Sequence, residues 1–358
     1  MKKILFLAGT RPEIIKLAPL FLLLKKNKKF KTTFCLTGQH KQLSVLAASI
    51  FGIKFDYNLK VMKKNQDLFT LSTNILEKLK LFFKKNFFDV VIVQGDTTSA
   101  MIGALGAFYN KIKIFHVEAG LRTNNKNNPF PEELNRILIS HMSNIHFSPT
   151  ILSKNNLIKE GIGKKKIFLT GNTVIDSLNF IKNKFKLKNS NSKLILCTIH
   201  RKENQGENFK IFCKKLKIIA KSFQDWKFLF VFHPNPNIKN IAHKLLKKIP
   251  NIKLVKSLNY LDFLRYLCKS SIVISDSGGL QEECASLGKF VVIARENTER
   301  PEIISASLGR LNPIKDSNFV NVVKSLINQK IWKNCKPSFC FGGGSSSKKI
   351  SIIISKIL

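Results

Sequence analysis

Residues 1–20 of the chain, MKKILFLAGTRPEIIKLAPL, contain the pattern from which the fold can be predicted. Ile4 to Ala8 form a short apolar run of the kind found in buried parallel strands, and apolar residues return at helical spacing from Ile14 to Leu24. Gly9 to Glu13 lie between these two segments. A strand, a turn and a helix in this order predict one βα unit.

The turn between this strand and helix has two interpretations. In the first, Gly9 and Pro12 only shape the turn, because Pro12 falls in the first helical turn, where its missing N–H costs nothing. In the second, backbone N–H groups at the helix start attract an anion that Arg11 binds through its planar guanidinium, with Lys16 about one turn further on. The turn alone leaves both interpretations open.

The same alternation of strand and helix continues along the first half of the chain. Further strands are predicted at 32–37, 89–95, 112–117, 144–148 and 167–171, and helices at 12–26, 41–51, 98–109, 132–143, 150–160 and 173–184. Serial βα units are typical of a doubly wound parallel sheet. The pattern therefore predicts an α/β fold with a Rossmann-like domain over residues 1–182.

A polar segment separates this domain from a second one. Residues 183–193, KNKFKLKNSNS, lack apolar periodicity and are predicted to be a linker. The βα pattern then restarts, with strands predicted at 194–199, 227–232, 252–255, 271–276 and 290–294. We therefore expect a second Rossmann-like domain over 194–335, facing the first across a central cleft, with ligands bound at the carboxyl ends of the strands.

The composition is strongly basic, with 61 Lys and Arg against 22 Asp and Glu and a formal net charge of +39. Such a charge would normally make nucleic acid the first partner to consider. Here the lysines are spread along the chain among Asn and Ile, and Phe is abundant, which is typical of coding drift in an AT-rich genome. We therefore do not expect a nucleic-acid partner, although binding of a polyanion or of an acidic protein surface remains an alternative.

Seven cysteines in no CxxC pattern favour reduced thiols over a disulfide framework or a zinc site, so no metal is expected. The apolar run at the start is too short for a signal peptide, and the longest other apolar run is far below the roughly 20 residues of a membrane span. These features predict a cytoplasmic protein without a membrane partner.

Three acidic residues follow predicted strands or begin a predicted helix in the first domain. They are Asp96 in GDTT, Glu118 in HVEAGLRT and Glu132 in PFPEELNR. Taken singly, Asp96 is explained as a helix cap and Glu132 as a favourable charge at a helix start. Taken together in a chain poor in acids, the three favour proton transfer at carbon, for which paired carboxylates in a dry cleft are suited.

The second domain carries a phosphate-binding pattern. His200 follows a strand in CTIHRKEN, and SDSGGLQEE follows the strand SIVIS and opens a helix. Glycines at a helix start let backbone N–H groups approach a diphosphate, and an acid about one turn later can accept ribose hydroxyls. We therefore predict a nucleotide-sugar site that contains Ser277, Gly278, Gly279 and Glu283, with cationic contacts from the later loop RENTERPE.

In this order, GTRPEIIKLAP, GDTT, HVEAGLRT, PFPEELNR, HFSPT, TGNTVIDSL, HRKEN, HPNP, SDSGGLQEE and TERPE resemble the motifs of the non-hydrolysing UDP-N-acetylglucosamine 2-epimerases. The resemblance covers about residues 3–350. It implies the two-domain glycosyltransferase-B architecture, a homodimer, no cofactor and no metal. It also implies reversible conversion of UDP-GlcNAc to UDP-ManNAc, by anti elimination of UDP to 2-acetamidoglucal and re-addition, in supply of an envelope polysaccharide.

By this resemblance, site residues can be assigned. Catalytic roles fall to Asp96, Glu118, Glu132 and His200, and substrate binding falls to Arg11, Lys16, Phe263, Ser277, Gly278, Gly279, Glu283 and Arg300. Gln39, His40 and Gln42 match the family's allosteric motif, whereas Asn65 stands where some members have arginine. A hydrolysing epimerase, a glycosyltransferase and a polyanion-binding relative without catalysis remain alternatives.

The tail, residues 336–358, departs from the family pattern. Its FGGGS segment lacks the aspartate of the usual YGDG. In the family this tail crosses back to the first domain. We therefore expect the loss to affect closure or stability rather than chemistry.

Overall fold

The computed structural model describes residues 1–38, 41–63, 66–232 and 235–358. These residues divide into two compact units, Met1–Phe180 with Phe341–Leu358, and Ile181–Cys340. Each unit is built on one parallel sheet with helices between successive strands. The predicted α/β class with two doubly wound sheets is confirmed.

The first unit has seven strands in its described residues, in the order β3-β2-β1-β4-β5-β6-β7. The strands are β1 (Lys2–Ala8), β2 (Phe30–Leu36), β3 (Tyr57–Asn58), β4 (Val90–Gln94), β5 (Lys113–Val117), β6 (Ile145–Ser148) and β7 (Ile167–Leu169). The helices are α1 (Arg11–Lys26), α2 (Lys41–Ile50), α3 (Leu68–Lys85), α4 (Thr98–Tyr109), α5 (Glu132–Met142), α6 (Ile151–Lys159) and α7 (Thr173–Lys184).

The central strands of this sheet are apolar because helices cover both of its faces. Every residue of β4 is buried, and so are the last five residues of β1. The sequence analysis did not predict β3 or α3. The apolar face of α3, with Leu71, Ile75 and Leu79, packs in the same core as Val91 of β4.

The second unit has six strands in the part of the chain that is described, in the order β10-β9-β8-β11-β12-β13. The strands are β8 (Leu194–Ile199), β9 (Lys227–Phe232), β10 (Ile252–Lys256), β11 (Ile272–Ser275), β12 (Phe290–Ile293) and β13 (Gly309–Leu311). The helices are α8 (Glu207–Ser222), α9 (Pro236–Leu246), α10 (Tyr260–Lys269), α11 (Gly278–Leu287), α12 (Glu302–Ser305) and α13 (Phe319–Asn328).

The segment predicted as a linker is partly ordered within the second unit. Helix α7 continues to Lys184. Further on, the backbone N–H of Ser190 donates to the carbonyl of Cys268 (2.9 Å), and the ammonium of buried Lys289 donates to the carbonyl of Ser190 (2.6 Å). Polar composition alone did not reveal these bonds, because their partners lie about 80 to 100 residues away in sequence.

The last helix, α14 (Ser346–Ile357), belongs to the first unit and packs against α1. The backbone N–H groups of Ser346 and Ser347 donate to the carboxylate of Asp176 at 3.2 and 2.8 Å. Asp176 therefore satisfies two of the N–H groups that a helix start leaves without an intrahelical partner. The glycine-rich segment before α14 follows Phe341, which is buried in the first unit.

Candidate active site

In each sheet the order of the strands reverses at one point, and the predicted site residues lie beside it. In the first sheet β1 and β4 are neighbours, and the turns after them carry Arg11 and Asp96. In the second sheet β8 and β11 are neighbours, and the segments after them carry His200 and Ser277. Ligands of doubly wound sheets bind at such reversals, where adjacent loops diverge and leave a crevice.

Glu118 and Lys16 form a buried ion pair in the first unit. The ammonium nitrogen of Lys16 lies 2.7 and 2.6 Å from the two carboxylate oxygens, and the side-chain amide of Gln94 also donates to Glu118. Lys16 and Glu118 are 7% and 6% exposed. These donors from α1 and β4 fix the orientation of the carboxylate, and the ammonium offsets the loss of its hydration.

The backbone of Glu118 is also unusual. Its φ angle of 67° lies in the left-handed region, which residues with a side chain rarely adopt. Residues held in this region concentrate at functional sites, where the surrounding structure compensates the strain. The conformation and the ion pair together identify Glu118 as a candidate catalytic group.

Asp96 is held by Arg136 of α5. The guanidinium donates to one oxygen of Asp96 at 2.9 and 2.6 Å, and the side-chain amide of Asn135 donates to the Asp96 carbonyl at 2.9 Å. These bonds bring the start of α5 to the turn after β4. Glu132 is the first residue of α5 and is half-buried. The structure thus places Asp96 and Glu132 at the same end of the sheet as Glu118.

The neighbouring acid Glu133 has a different role from that of Glu132. Its carboxylate accepts the backbone N–H groups of Thr123 and Asn124 at 2.8 and 2.9 Å and pairs with Arg136 at 2.8 Å. Glu133 is 1% exposed. It therefore shapes the loop before α5.

Glu13 is a residue that the sequence analysis did not single out. Its carboxylate accepts the N–H groups of Gly9 and Thr10 at 3.1 and 2.7 Å and the hydroxyl of Thr97 at 3.1 Å. Burial raises the pKa of Glu13 from 4.5 to about 7. Glu13 joins the turn that precedes Arg11 to the turn that follows Asp96. The capping pattern Thr-x-x-Glu was the available signal.

His116 of β5 supports the same turn from inside the sheet. Its Nε2 lies 2.8 Å from the carbonyl oxygen of Gly95, and the residue is fully buried. Burial lowers the pKa of His116 to about 4, and burial likewise lowers the pKa of His146, its register partner on β6, to about 3. Both imidazoles are therefore neutral near pH 7.

In the second unit, Asp276 organises the segment that carries His200. Its carboxylate accepts the backbone N–H groups of His200 (3.1 Å to each oxygen) and Arg201 (2.9 Å) and the amide of Asn204 (3.0 Å). Asp276 is fully buried. The sequence analysis quoted Asp276 within its motif but assigned it no role, although an acid that ends a strand and precedes SGG was the available signal.

The two glycines after Ser277 have different surroundings. A Cβ atom on Gly278 would lie 2.5 Å from both Arg300 Nη1 and Glu299 Oε1, so the position accepts no side chain without rearrangement. A Cβ atom on Gly279 would meet no protein atom within 4 Å. Both glycines begin α11, where N–H groups and the helix dipole favour an anion. The space beside Gly279 is therefore suited to a phosphate group.

Arg300, predicted to contact the diphosphate, lies in a buried network of charges. Its Nε donates to Glu282 at 2.7 Å and its Nη1 donates to Glu299, which also pairs with Arg295 at 2.7 Å. Two carboxylates thus compensate its charge, and a phosphate contact by Arg300 stays a prediction. Composition did not reveal this network.

The predicted ribose-binding acid also has a partner in the structure. The hydroxyl of Tyr260 donates to Glu283, which joins α10 to α11. Phe263 is half-buried one turn after Tyr260 on the same helix. The structure therefore brings Phe263 and Glu283 to neighbouring elements, and their contact with a nucleotide stays a prediction.

Some predicted residues lie outside the described part of the chain. Gln39, His40 and Asn65 are among them, and so is the side chain of Gln42. In the residues that are described, no group of three or more His, Cys, Asp and Glu is arranged to hold a metal ion. Nor does any helix in those ranges have the length and apolar character needed to cross a membrane.

Known proteins are similar to this chain in both sequence and structure. A UDP-N-acetylglucosamine 2-epimerase from Campylobacter jejuni is 43% identical over 378 aligned positions, which cover 99% of this chain and 98% of the relative. The crystal structure of the Neisseria meningitidis UDP-GlcNAc 2-epimerase bound to UDP-GlcNAc is similar with a TM-score of 0.94 and 39% identity, covering 99% of this chain and 100% of the other.

A more distant structure has the same fold. The Methanocaldococcus jannaschii UDP-GlcNAc 2-epimerase in complex with UDP-GlcNAc and UDP has a TM-score of 0.87 at 32% identity, over 99% of this chain and 100% of the other. The model of the family described as UDP-N-acetylglucosamine 2-epimerase matches residues 23–355. With this match and with relatives similar over nearly their whole length, the chain belongs to the UDP-N-acetylglucosamine 2-epimerase family.

Proposed function

We propose that this chain interconverts UDP-N-acetylglucosamine and UDP-N-acetylmannosamine by inverting C2, without hydrolysis. The observation that carries the proposal is the buried carboxylate of Glu118, held by Lys16 and Gln94 at the strand ends that also carry Asp96. Relatives similar over nearly their whole length are named as this epimerase, and the Neisseria relative was crystallised with UDP-GlcNAc.

The chemistry proceeds by elimination and re-addition. In the first half, the C1–O bond to UDP breaks, the C2 proton passes to a carboxylate, and a C1–C2 double bond forms, which gives 2-acetamidoglucal and UDP. In the second half, a proton returns to the opposite face of C2 and the diphosphate oxygen rebonds to C1. Because C2–H is not acidic, departure of UDP leads, and stabilisation of the diphosphate matters as much as the base.

We assign the two proton transfers at C2 to the group of Asp96, Glu118 and Glu132. The structure favours Glu118 as one of them, because fixed donors orient its carboxylate and a reacting base must be positioned within hydrogen-bond reach of the proton. Arg136 fixes Asp96 in the same way, while the Asp96 side chain stays 26% exposed to solvent.

UDP is bound, in this proposal, by the start of α11 and its surroundings. The N–H groups beside Gly279 and the hydroxyl of Ser277 bind the diphosphate, and Glu283 accepts the ribose hydroxyls. Arg11 and His200, which follow β1 and β8, stabilise negative charge as UDP leaves. The remaining proposed contacts are Lys16, Gly278, Phe263 and Arg300.

The test is proton NMR of the protein with UDP-GlcNAc in D2O. We expect a mixture of UDP-GlcNAc and UDP-ManNAc with deuterium at C2, whereas free ManNAc with UDP would show a hydrolysing enzyme and contradict the proposal. Glu118→Gln should abolish deuterium exchange at C2. The control Glu207→Gln, at an exposed carboxylate on α8, should leave the rate unchanged.

We further propose that the enzyme acts in the cytoplasm as a homodimer and that its product supplies an envelope polysaccharide. The family resemblance supports the dimer, as do the exposed apolar side chains of Leu134, Leu138 and Ile151 on α5 and α6. Light scattering of the purified protein should give about twice the chain mass of 40.7 kDa. A monomeric mass in the active enzyme would contradict the dimer.

A further inference from the structure

The end of the first sheet opposite the candidate site carries a concentration of positive charge. Strands β1, β2, β4 and β5 are neighbours there, and exposed lysines lie near their first residues and at the end of α3, which precedes β4. We call this set the basic rim, and it consists of Lys2, Lys3, Lys31, Lys84, Lys85, Lys111 and Lys113. Parallel strands place these residues together, although they come from four separate segments of the chain.

The basic rim has little compensating negative charge. Asp89, the acid at the start of β4, pairs with Lys2 (2.9 Å) and also accepts the backbone N–H of Lys3 (2.8 Å). Within the described residues, Lys84, Lys85 and the two lysines at the start of β5 take part in no ion pair. Like charges at this spacing raise the local potential and attract anions.

Exposed apolar side chains lie among these lysines. Leu81 and Phe87 are 56% and 70% exposed, and Phe108 and Tyr109 at the end of α4 are 55% and 65% exposed. The ammonium of Lys3 lies 5.9 Å from the centre of the Phe87 ring. Phe87 also lines a recess of about 530 Å³, formed by residues 83–89 and 110–113, which joins the end of α3 to the start of β5.

We propose that the basic rim and these apolar side chains bind the surface of an anionic lipid bilayer. Lysines interspersed with Phe, Leu and Tyr are the combination that peripheral proteins use there, because the ammonium groups contact lipid phosphates while apolar side chains enter the interface. The exposed Leu81 favours lipid over nucleic acid, since stacking on bases needs aromatic rings. The length of apolar runs, from which no membrane partner was expected, does not reveal such a surface, because the participating segments are far apart in sequence.

The proposal is independent of the proposed epimerase activity. The rim lies at the amino ends of the strands, and the candidate catalytic groups of the same unit lie at their carboxyl ends. Binding at the rim therefore leaves the strand ends that carry Asp96 and Glu118 accessible to substrate. Loss of lipid binding should not alter turnover of UDP-GlcNAc in solution, so the failure of one proposal is distinguishable from failure of the other.

Co-sedimentation with lipid vesicles tests the proposal. We expect the full chain to bind vesicles of equal parts phosphatidylglycerol and phosphatidylcholine at low salt and not to bind pure phosphatidylcholine. Replacing Lys84, Lys85, Lys111 and Lys113 together by alanine should lower the partition coefficient about 10³-fold, which corresponds to about 1 kcal/mol per lysine. No binding of the unchanged protein would overturn the proposal.

A charge-matched control separates the rim from the high overall charge. Replacing the exposed Lys239, Lys244, Lys247 and Lys248 of the second unit by alanine removes the same charge and should change vesicle binding by less than about threefold. Equal losses in the two variants would mean that binding follows net charge alone and would overturn the proposal. Loss of binding to an oligoribonucleotide in the rim variant, with vesicle binding intact, would overturn it in favour of nucleic acid.

A fluorescent side chain tests contact with lipid directly. In Phe87→Trp the new indole is exposed, whereas Trp226 and Trp332 are 3% and 8% exposed and give a constant background. We expect a blue shift of the emission with anionic vesicles and quenching by brominated lipid. An unchanged spectrum in the presence of bound vesicles would overturn the role of Phe87 and of the recess.

Discussion

The two glycines at the start of α11 offer a direct test of the UDP site. Gly278 and Gly279 are adjacent in sequence but have opposite surroundings. Side-chain atoms of Arg300 and Glu299 lie 2.5 Å from the position of a Cβ atom on Gly278, and no protein atom lies within 4 Å of that position on Gly279. Gly278→Ala and Gly279→Ala add the same methyl group. They should therefore separate an effect on folding from an effect on ligand binding.

The expected magnitudes follow from these distances. Gly278→Ala must displace a buried guanidinium and carboxylate, and overpacking of this kind costs about 1–3 kcal/mol of stability. Gly279→Ala meets no such obstacle and reduces the freedom of the unfolded chain, so its stability should rise by about 0.5–1 kcal/mol. Its methyl group fills the proposed phosphate position, and loss of a charged hydrogen bond there, about 1.5–3 kcal/mol, weakens UDP binding about 10- to 150-fold.

Two measurements are needed on each variant. Urea unfolding without ligand gives the change in the free energy of unfolding, and calorimetric titration with UDP gives the affinity. We expect Gly279→Ala to be at least as stable as the wild type but to bind UDP weakly. Wild-type UDP affinity in this variant would refute the assignment of the space beside Gly279 to the diphosphate.

Three further predictions concern groups that the structure assigns to support. The wild type should lose about 3 kcal/mol of stability between pH 6.5 and 4, because burial holds the pKa of folded His116 near 4 and the unfolded chain binds protons first as the pH falls. His116→Gln should abolish this loss, and urea unfolding at several pH values measures it. Asp176→Ala should cost about 1–2 kcal/mol and increase amide exchange in α14, whose first N–H groups lose their acceptor. Asp276→Asn should lower kcat about 10- to 100-fold by misplacing His200, with UDP affinity within a few-fold of wild type in a titration.

Each of these predictions has a contradicting outcome. An unchanged slope of stability against pH in His116→Gln would mean that the imidazole is not the group that titrates. Uniform amide exchange in Asp176→Ala would mean that packing on α1 alone holds α14. Equal losses of kcat and UDP affinity in Asp276→Asn would mean that the residue maintains the whole site rather than the segment of His200.

The sequence predicts the strands well because parallel strands covered on both faces are continuous apolar runs. Strand β8 and helices α4 and α7 begin and end where their patterns predict. Strands β3 and β13 were not predicted, because two or three residues carry no periodicity. Helix α3 does carry a signal in the sequence, because its buried residues Leu71, Ile75 and Leu79 recur at helical spacing.

The candidate site is predictable only in part. Position after a strand identifies Asp96, His200 and Ser277, since topology brings strand ends together. The pattern Thr-x-x-Glu and the acid before SGG mark Glu13 and Asp276 as candidates, but most of their partners depend on loop conformations that bring backbone N–H groups to one carboxylate. For the same reason the sequence does not distinguish the neighbouring acids Glu132 and Glu133. In the structure Glu133 is buried and accepts backbone N–H groups, whereas Glu132 is half-buried at the helix start.

The discontinuous first unit has a consequence for how the protein is made. Its sheet is finished after about half of the chain has been synthesised, but α14, which packs on α1, comes from residues 346–357, after the whole second unit. A nascent chain must therefore leave exposed, while the second unit folds on the ribosome, the surface that the buried residues Ile350 and Ile354 later cover. A chain that stops before Phe341 would contain an intact second unit and a first unit with this surface uncovered, a form that chaperones and proteases can distinguish from the finished protein.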